Sequence, residues 1–337
     1  LVLTTFFCLH LAAWPVLAKG SKYSQSSKRG VAAAHQKIQP VEIRDVYVIH
    51  FIIDGTNLKT FNRALAQGRL PTIHKHFVER GARFERATSN FPSTSSTVYQ
   101  SFVTGLLPGH AGIPHLERFD RQRLKAVDYL SAGSYEMLDT DLINLRALIN
   151  PEQVELEPPT TIFELLRGHP TAAIYTSFRR GATIKDPKKA PFHGLWSAYV
   201  SQNEEHVDVL PLRETMQLFK GLLEKIPRYS LVGLYAADVL GHRYGPYSQE
   251  VVDALIQFDL FLRDFFDLLN RRGLADKTYI IISADHGMHT TGRLFKFRKV
   301  LEEKGVFVKP KNPRIKDYTL FAATRGVASS HLYVRHD

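Results

Sequence analysis

The chain has 337 residues, of which 44% are hydrophobic, 11% aromatic and 23% charged, a balance that excludes a disordered, collagenous or coiled-coil protein and allows one large α/β domain or two smaller ones. A single cysteine excludes a disulfide scaffold and every thiolate-held metal cluster. Of the formal charge of +11, five units come from Lys19, Lys22, Lys28, Arg29 and Lys37, ahead of the first acid, Glu42, leaving +6 on the rest; that mild excess suits anionic substrates, and without interleaved aromatic and basic residues it makes no footprint for a nucleic-acid polymer.

In chain order, Leu1–Ala18 is almost wholly apolar and closes on Val16-Leu17-Ala18 before Lys19-Gly20, the small-residue spacing of a signal peptide cut. Secretion or delivery to a periplasm follows as the expectation. His10 and Pro15 interrupt the stretch, so an uncleaved anchor is the weaker alternative and no membrane span is expected in the mature protein. With neither Met nor a charged segment in front, the true start is expected to lie upstream. Cys8 falls inside the leader, so cleavage leaves no cysteine. Residues 19–40, rich in Ser, Lys and Gln, read as a flexible tether, and 41–337 as one domain.

Val46–Ile53 is a near-continuous apolar run of the kind buried on both faces of a parallel sheet, ending at Asp54-Gly55. Further strands are expected at Ala172–Thr176, Leu231–Ala236 and Tyr279–Ser283, with helical periodicity at Pro71–Arg80, Ser96–Val103, Leu212–Lys225 and Gln249–Arg272. Strands alternating with helices indicate an α/β fold with a doubly wound, mostly parallel sheet and helices on both faces, and such sheets bind ligands beyond the carboxyl ends of their strands. The stretches at about 108–159 and 178–211 lack periodicity and are rich in Pro, Gly and charge; they read as cap or substrate insertions. Arg179-Arg180, in the second, read as a solvated charge pair.

The polar residues ending the strands then carry the chemistry. Asp54, Asp238 and Asp285-His286 each follow an apolar run; His242 comes one helical turn after Asp238, and His331 lies near the end. Carboxylates mixed with imidazoles and no thiolate suit zinc or manganese. Taken singly, a strand-end Asp is more often a cap and a His such as His331 more often a packed side chain. The hydroxyl cluster Ser93-Thr94-Ser95-Ser96-Thr97, before Val98–Gly105, places hydroxyls at a helix start, where backbone amides and the dipole favour anions; the same residue types also serve as N-caps.

These blocks resemble the alkaline phosphatase superfamily, most closely its type I phosphodiesterase/nucleotide pyrophosphatase branch. The resemblance runs in order through Ile52–Gly55, the hydroxyl cluster with Val103–Ile113, Asp238–Pro246 and Ser283–Met288 to His331. It implies an alkaline-phosphatase-like sheet and two divalent metal ions, zinc before manganese, one held by Asp54, Ser95, Asp285 and His286 and the other by Asp238, His242 and His331. Ser95 is the implied nucleophile, ten residues before Gly105, with Thr94 the rival if the register slips by one. The implied reaction is hydrolysis of phosphodiester or related phosphoryl bonds through a phosphoseryl intermediate, on a small phosphoryl-containing substrate.

The branch's usual Thr-Phe-Pro-Asn is here Ser95-Ser96-Thr97-Val98, which puts an apolar residue where a polar contact to phosphate is expected and weakens the case for nucleotides. No sulfatase signature follows Ser95. The chain ends six residues after His331, where many relatives continue. Within the same superfamily the alternatives are a phosphomonoesterase, a phosphonate hydrolase or a phosphoglycolipid transferase; from another class, an exported metal-binding pseudoenzyme.

Overall fold

In the computed structural model the apolar run after residue 45 forms strand β1 (Tyr47–Ile53), buried from Ile49 to Ile53. The structure describes residues 46–120, 125–128, 159–176, 178–186, 207–221, 226–293, 295–306, 319–323 and 329–334; the expected leader 1–18, the tether 19–40 and much of the two insertion stretches lie outside the described residues.

The further strands in chain order are β2 (Glu117–Asp120), β3 (Lys125–Asp128), β4 (Thr171–Ile174), β5 (Ile184–Asp186), β6 (Tyr229–Leu234), β7 (Thr278–Ser283), β8 (Leu320–Ala323) and β9 (His331–Val334). Among the described residues, five of them form one sheet in the order β5-β4-β6-β1-β7. Every pairing in it is parallel, with Phe51 opposite Val232 and Ile282. β2 with β3 and β8 with β9 form antiparallel pairs, which meet where Phe119 stacks on Phe321 at 4.5 Å.

The helices in chain order are α1 (Leu58–Ala66), α2 (Pro71–Ile73, running into a π turn at His74–Glu79), α3 (Ser95–Thr104), α4 (Pro108–Ala111), α5 (Ile162–Leu165), α6 (Val209–Phe219), α7 (Ala236–Tyr244), α8 (Gln249–Arg271) and α9 (Phe297–Glu303). The period of two in β1 divides its side chains between two cores. Ile49, Phe51 and Ile53 pack with the α8 stripe Leu255, Phe258, Leu262 and Phe265. Ile52, on the other face, packs with Tyr99 and Val103 of α3 and Phe163 of α5. Helices therefore cover both faces of a parallel sheet, the doubly wound arrangement expected from the alternating pattern. Asp259 interrupts the α8 stripe, and its carboxylate accepts from the Thr72 and Ile73 amides at 3.1 and 2.7 Å, satisfying donors at the start of α2.

The helix expected at Leu212–Lys225 is observed at Val209–Phe219, and two further differences from the sequence reading have a physical reason. Leu231–Ala236 was expected to continue as strand, yet β6 stops at Leu234 and Ala236 opens α7. The carboxylate of Asp208, distant in sequence, accepts from the Tyr235 and Ala236 amides at 2.7 and 3.1 Å and so starts the helix. Ile184–Asp186 lies inside a stretch read as irregular, yet pairs with β4 as the sheet's edge; three residues are too few for a periodic signal. Among the described residues no helix is long and apolar enough to cross a membrane.

Candidate active site

Because every strand of the main sheet points the same way, the segments after β1, β6 and β7 open on one rim. Asp54 comes directly after β1 and is buried. Gly55 follows at φ 66, and its amide donates to Asp285 Oδ1 at 3.1 Å. A Cβ on Gly55 would stand 2.8 Å from Asp238 Cβ and 2.9 Å from its Cα. Glycine is required here both by the left-handed backbone and by the approach of α7. Asp238 itself sits in the first turn of α7, not at a strand end as the apolar run before it implied.

His286 completes the convergence. Its Nε2 lies 3.6 Å from Asp54 Oδ1 and 3.3 Å from Asp285 Oδ2. Donor atoms of Asp54, Asp238 and His286 fall within 4.8 Å of one another, the one such group of three among the described residues. Ser95, the first residue of α3, places its Oγ 3.2 Å from His286 Nε2 and donates to Asp54 Oδ1 at 3.5 Å. Thr94 is spent on the cap: its amide donates to Thr97 Oγ1 at 3.3 Å, and the two hydroxyls are 3.2 Å apart. Of the two candidate hydroxyls, Ser95 is the one whose contacts lie among the acids.

The remaining expected ligands are less tightly gathered. His242 Nε2 stands 3.6 Å from Asp238 Oδ1, one turn along α7. His331 opens β9 outside the three-donor group, its ring 5.0 Å from that of His115, which pairs through Nε2 with Ser329 Oγ at 2.8 Å. Arg180 is not solvated: Nη2 donates to the Pro159 carbonyl at 2.5 Å and to Glu164 Oε2 at 2.8 Å. Arg180 is partly buried and Arg179 fully so.

Burial, then the charges of Asp285 and Asp238, push the Asp54 carboxyl well above the usual carboxylate range. Burial likewise raises Asp285, against the opposing pull of His286 and the Gly55 amide. Asp285 Oδ2 is buried and receives no hydrogen bond. Crowded, desolvated carboxylates with an imidazole and a hydroxyl at their edge are a poor arrangement for protein alone and a fitting one for divalent cations with oxygen and nitrogen ligands.

Sequence reasoning missed the residues that hold this group in place. Ser89 Oγ donates to the Asp285 carbonyl at 2.6 Å; Asn57 caps α1 through Oδ1 and donates from Nδ2 to the Met288 carbonyl at 2.5 Å. Only Gly55 had a visible signal, as a glycine directly after a strand-end acid.

Comparison with known proteins yields a family match and a likeness of fold. The profile of the type I phosphodiesterase/nucleotide pyrophosphatase family matches residues 48–336. Alkaline phosphatase PhoV of Synechococcus elongatus is 29% identical over 122 residues, which is 33% of this chain and 22% of that protein. Ectonucleotide pyrophosphatase/phosphodiesterase family member 7 of Mus musculus is 42% identical over 66 residues, 19% of this chain and 15% of that one. The chain thus spans under a quarter of the length of either relative. Among solved structures, murine ectonucleotide pyrophosphatase/phosphodiesterase 5 in complex with AMP superposes with a TM-score of 0.55 at 19% identity, over 77% of this chain and 63% of that one, a likeness of fold.

Proposed function

The chain belongs to the type I phosphodiesterase/nucleotide pyrophosphatase family, and from that premise we propose that it is a metal-dependent phosphoric ester hydrolase that cleaves small phosphodiesters, with Ser95 as nucleophile. The observation that carries this reading is Ser95 Oγ at 3.2 Å from His286 Nε2 and 3.5 Å from Asp54 Oδ1, at the first turn of α3. Asp54 and His286 orient the hydroxyl toward the rim. The helix start beneath it favours the negative charge of a phosphoryl group. As the Ser95 Oγ–phosphorus bond forms, the bond to the departing alcohol breaks, and the serine proton leaves with that alcohol. Water then cleaves the phosphoseryl bond and restores the hydroxyl.

Two divalent ions, zinc before manganese, would be held by Asp54, Ser95, Asp285 and His286 and by Asp238, His242 and His331, and would supply charge neutralisation and a lowered hydroxyl pKa. The catalytic unit is read as 41–337 with insertions at about 108–159 and 178–211. The apolar Leu1–Ala18 supports an exported, secreted or periplasmic enzyme.

Diesters are favoured over monoesters by charge. Ser96–Gly105 contains no Lys or Arg, Val98 is buried where a polar contact would sit, and Arg180 is committed to Glu164. A monoester dianion would gain no charge from these residues, whereas efficient monoesterases place an extra cation by the nucleophile. With zinc added, kcat/KM for bis(p-nitrophenyl) phosphate should exceed that for p-nitrophenyl phosphate. The reverse order would make the protein a phosphatase; no turnover of either would leave the metal-binding pseudoenzyme.

A further inference from the structure

We propose that the apolar cleft beside Asp285 and His286 receives the apolar ester group of the substrate, an aryl ring or an alkyl chain. The proposal rests on reading the neighbouring carboxylates as the phosphoryl site. The cleft has a volume of about 240 Å3 and lies between the end of β7, the helix α1 and the chain from Ile73 to Ser89. Its walls include Phe61, Phe77, Ala87 and Ile282, with Leu58 and Phe84 at the open side.

Three features select the occupant. First, Asp285, His286 and Gly287 form part of the wall, so the cleft borders the residues read as the phosphoryl site, and a group esterified to that phosphoryl is held beside it. Second, the lining is unsuited to a ribose or a second phosphate. The wall's arginine, Arg83, is engaged by Asn62 Oδ1 at 2.6 Å, Glu85 on the same wall would repel a second phosphate, and the Phe and Ile surfaces that dominate the lining offer sugar hydroxyls no partners. Third, Leu58 and Phe84 keep 57% and 44% of their surface in water, an exposure of large apolar side chains that an entering chain would reduce. A dry apolar cavity of ~150 Å3 already holds benzene, so the cleft takes a ring or a short chain.

The test is calorimetric binding of methyl-, propyl-, hexyl- and decylphosphonate to the zinc-loaded full chain, which needs no turnover. Affinity should climb about fourfold per methylene over the first carbons and level off once the cleft is full. Ala87→Phe, which fills the cleft, and Leu58→Ser, which opens its side, should each flatten the series, with folding checked by melting. A flat series in the wild type, absence of binding included, overturns the proposal. So does a rise that continues through decyl and survives Ala87→Phe. The two readings separate: graded phosphonate binding without turnover of either a diester or a monoester sinks the hydrolase and keeps the cleft, whereas diester turnover with a flat series does the opposite.

Discussion

Gly55 shows how much of the site hangs on one missing side chain. It joins Asp54 to the helix-bearing segment, hands its amide to Asp285 and lets Asp238 approach to contact distance. Gly55→Ala therefore meets two penalties, the left-handed φ at about 1–2 kcal/mol and a collision with the α7 backbone. A loss of about 2–4 kcal/mol in urea unfolding is expected. Gly105→Ala is the control: φ is 70 there, but nothing lies within 4 Å of the added carbon, so only the backbone penalty applies. Equal costs at the two glycines would mean that the packing against Asp238 carries no energy. The two hydroxyls separate in the same way. Ser95→Ala should lower diester turnover at least about 10³-fold with the fold intact, whereas Thr94→Ala should cost about 1 kcal/mol of stability, as the loss of a cap does, and spare most of the turnover. The reverse pattern would transfer the nucleophile's role to Thr94. Asp54, Asp285 and His286 stand out in the sequence because each follows an apolar run, whereas Ser95 is picked from its hydroxyl cluster only through the family resemblance and its spacing to Gly105. Ser89 and Asn57 do not, since each reaches the site through a hydrogen bond to a backbone carbonyl about two hundred residues away.

Among the elements, length decides what the sequence reveals. β1, β7 and α8 are long and apolar enough to stand out, and their observed ends fall within a residue of the expected ones. β5, α5 and the β8/β9 pair have three or four residues each and leave no periodic trace. The start of α7 was hidden for a different reason: Ala236-Ala237 extends the apolar run of β6, and the carboxylate that turns the chain into a helix comes from Asp208. That carboxylate is costly to keep charged, since loss of water raises its pKa to about 6 against two amide hydrogen bonds that favour the anion. A carboxyl whose folded value is raised holds its proton more tightly when folded, so stability falls as pH rises from about 4 to 6, by ~3 kcal/mol at most. Asp208→Asn keeps the acceptor oxygen and removes the charge. Its unfolding free energy should lack that decline and match or exceed the wild type at pH 7, while Asp208→Ala, leaving two amides unpaired, should lose about 1–3 kcal/mol. Parallel pH profiles for wild type and Asp208→Asn would remove Asp208 as the origin of the decline.

At the scale of the molecule, a sheet whose strands all run one way delivers their carboxyl ends to a single rim, and it is this topology that forces Asp54, Asp238 and Asp285 together. The fold thus concentrates like charge: the imidazole of His286 stands among buried carboxylates, and Asp54 and Asp285 are both pushed toward the protonated form. Protons and divalent cations then compete for the same oxygens. In metal-stripped protein, the raised carboxyls favour the folded state at low pH, and that contribution declines as pH climbs above about 4. In zinc-loaded protein the ion replaces the protons, and its binding strengthens over the same range. The gap in Tm between the loaded and the stripped protein should therefore widen from pH 5 to pH 8. At a hundredfold excess over Kd, one ion contributes about 2.7 kcal/mol, or about 5 °C for a domain of this size. Asp54→Asn should shrink the gap at every pH, and elemental analysis of the loaded wild type should find close to two ions per chain. A gap that is constant with pH would mean that zinc binds elsewhere, on groups already ionised, and one ion per chain would leave His242 and His331 without the metal proposed for them.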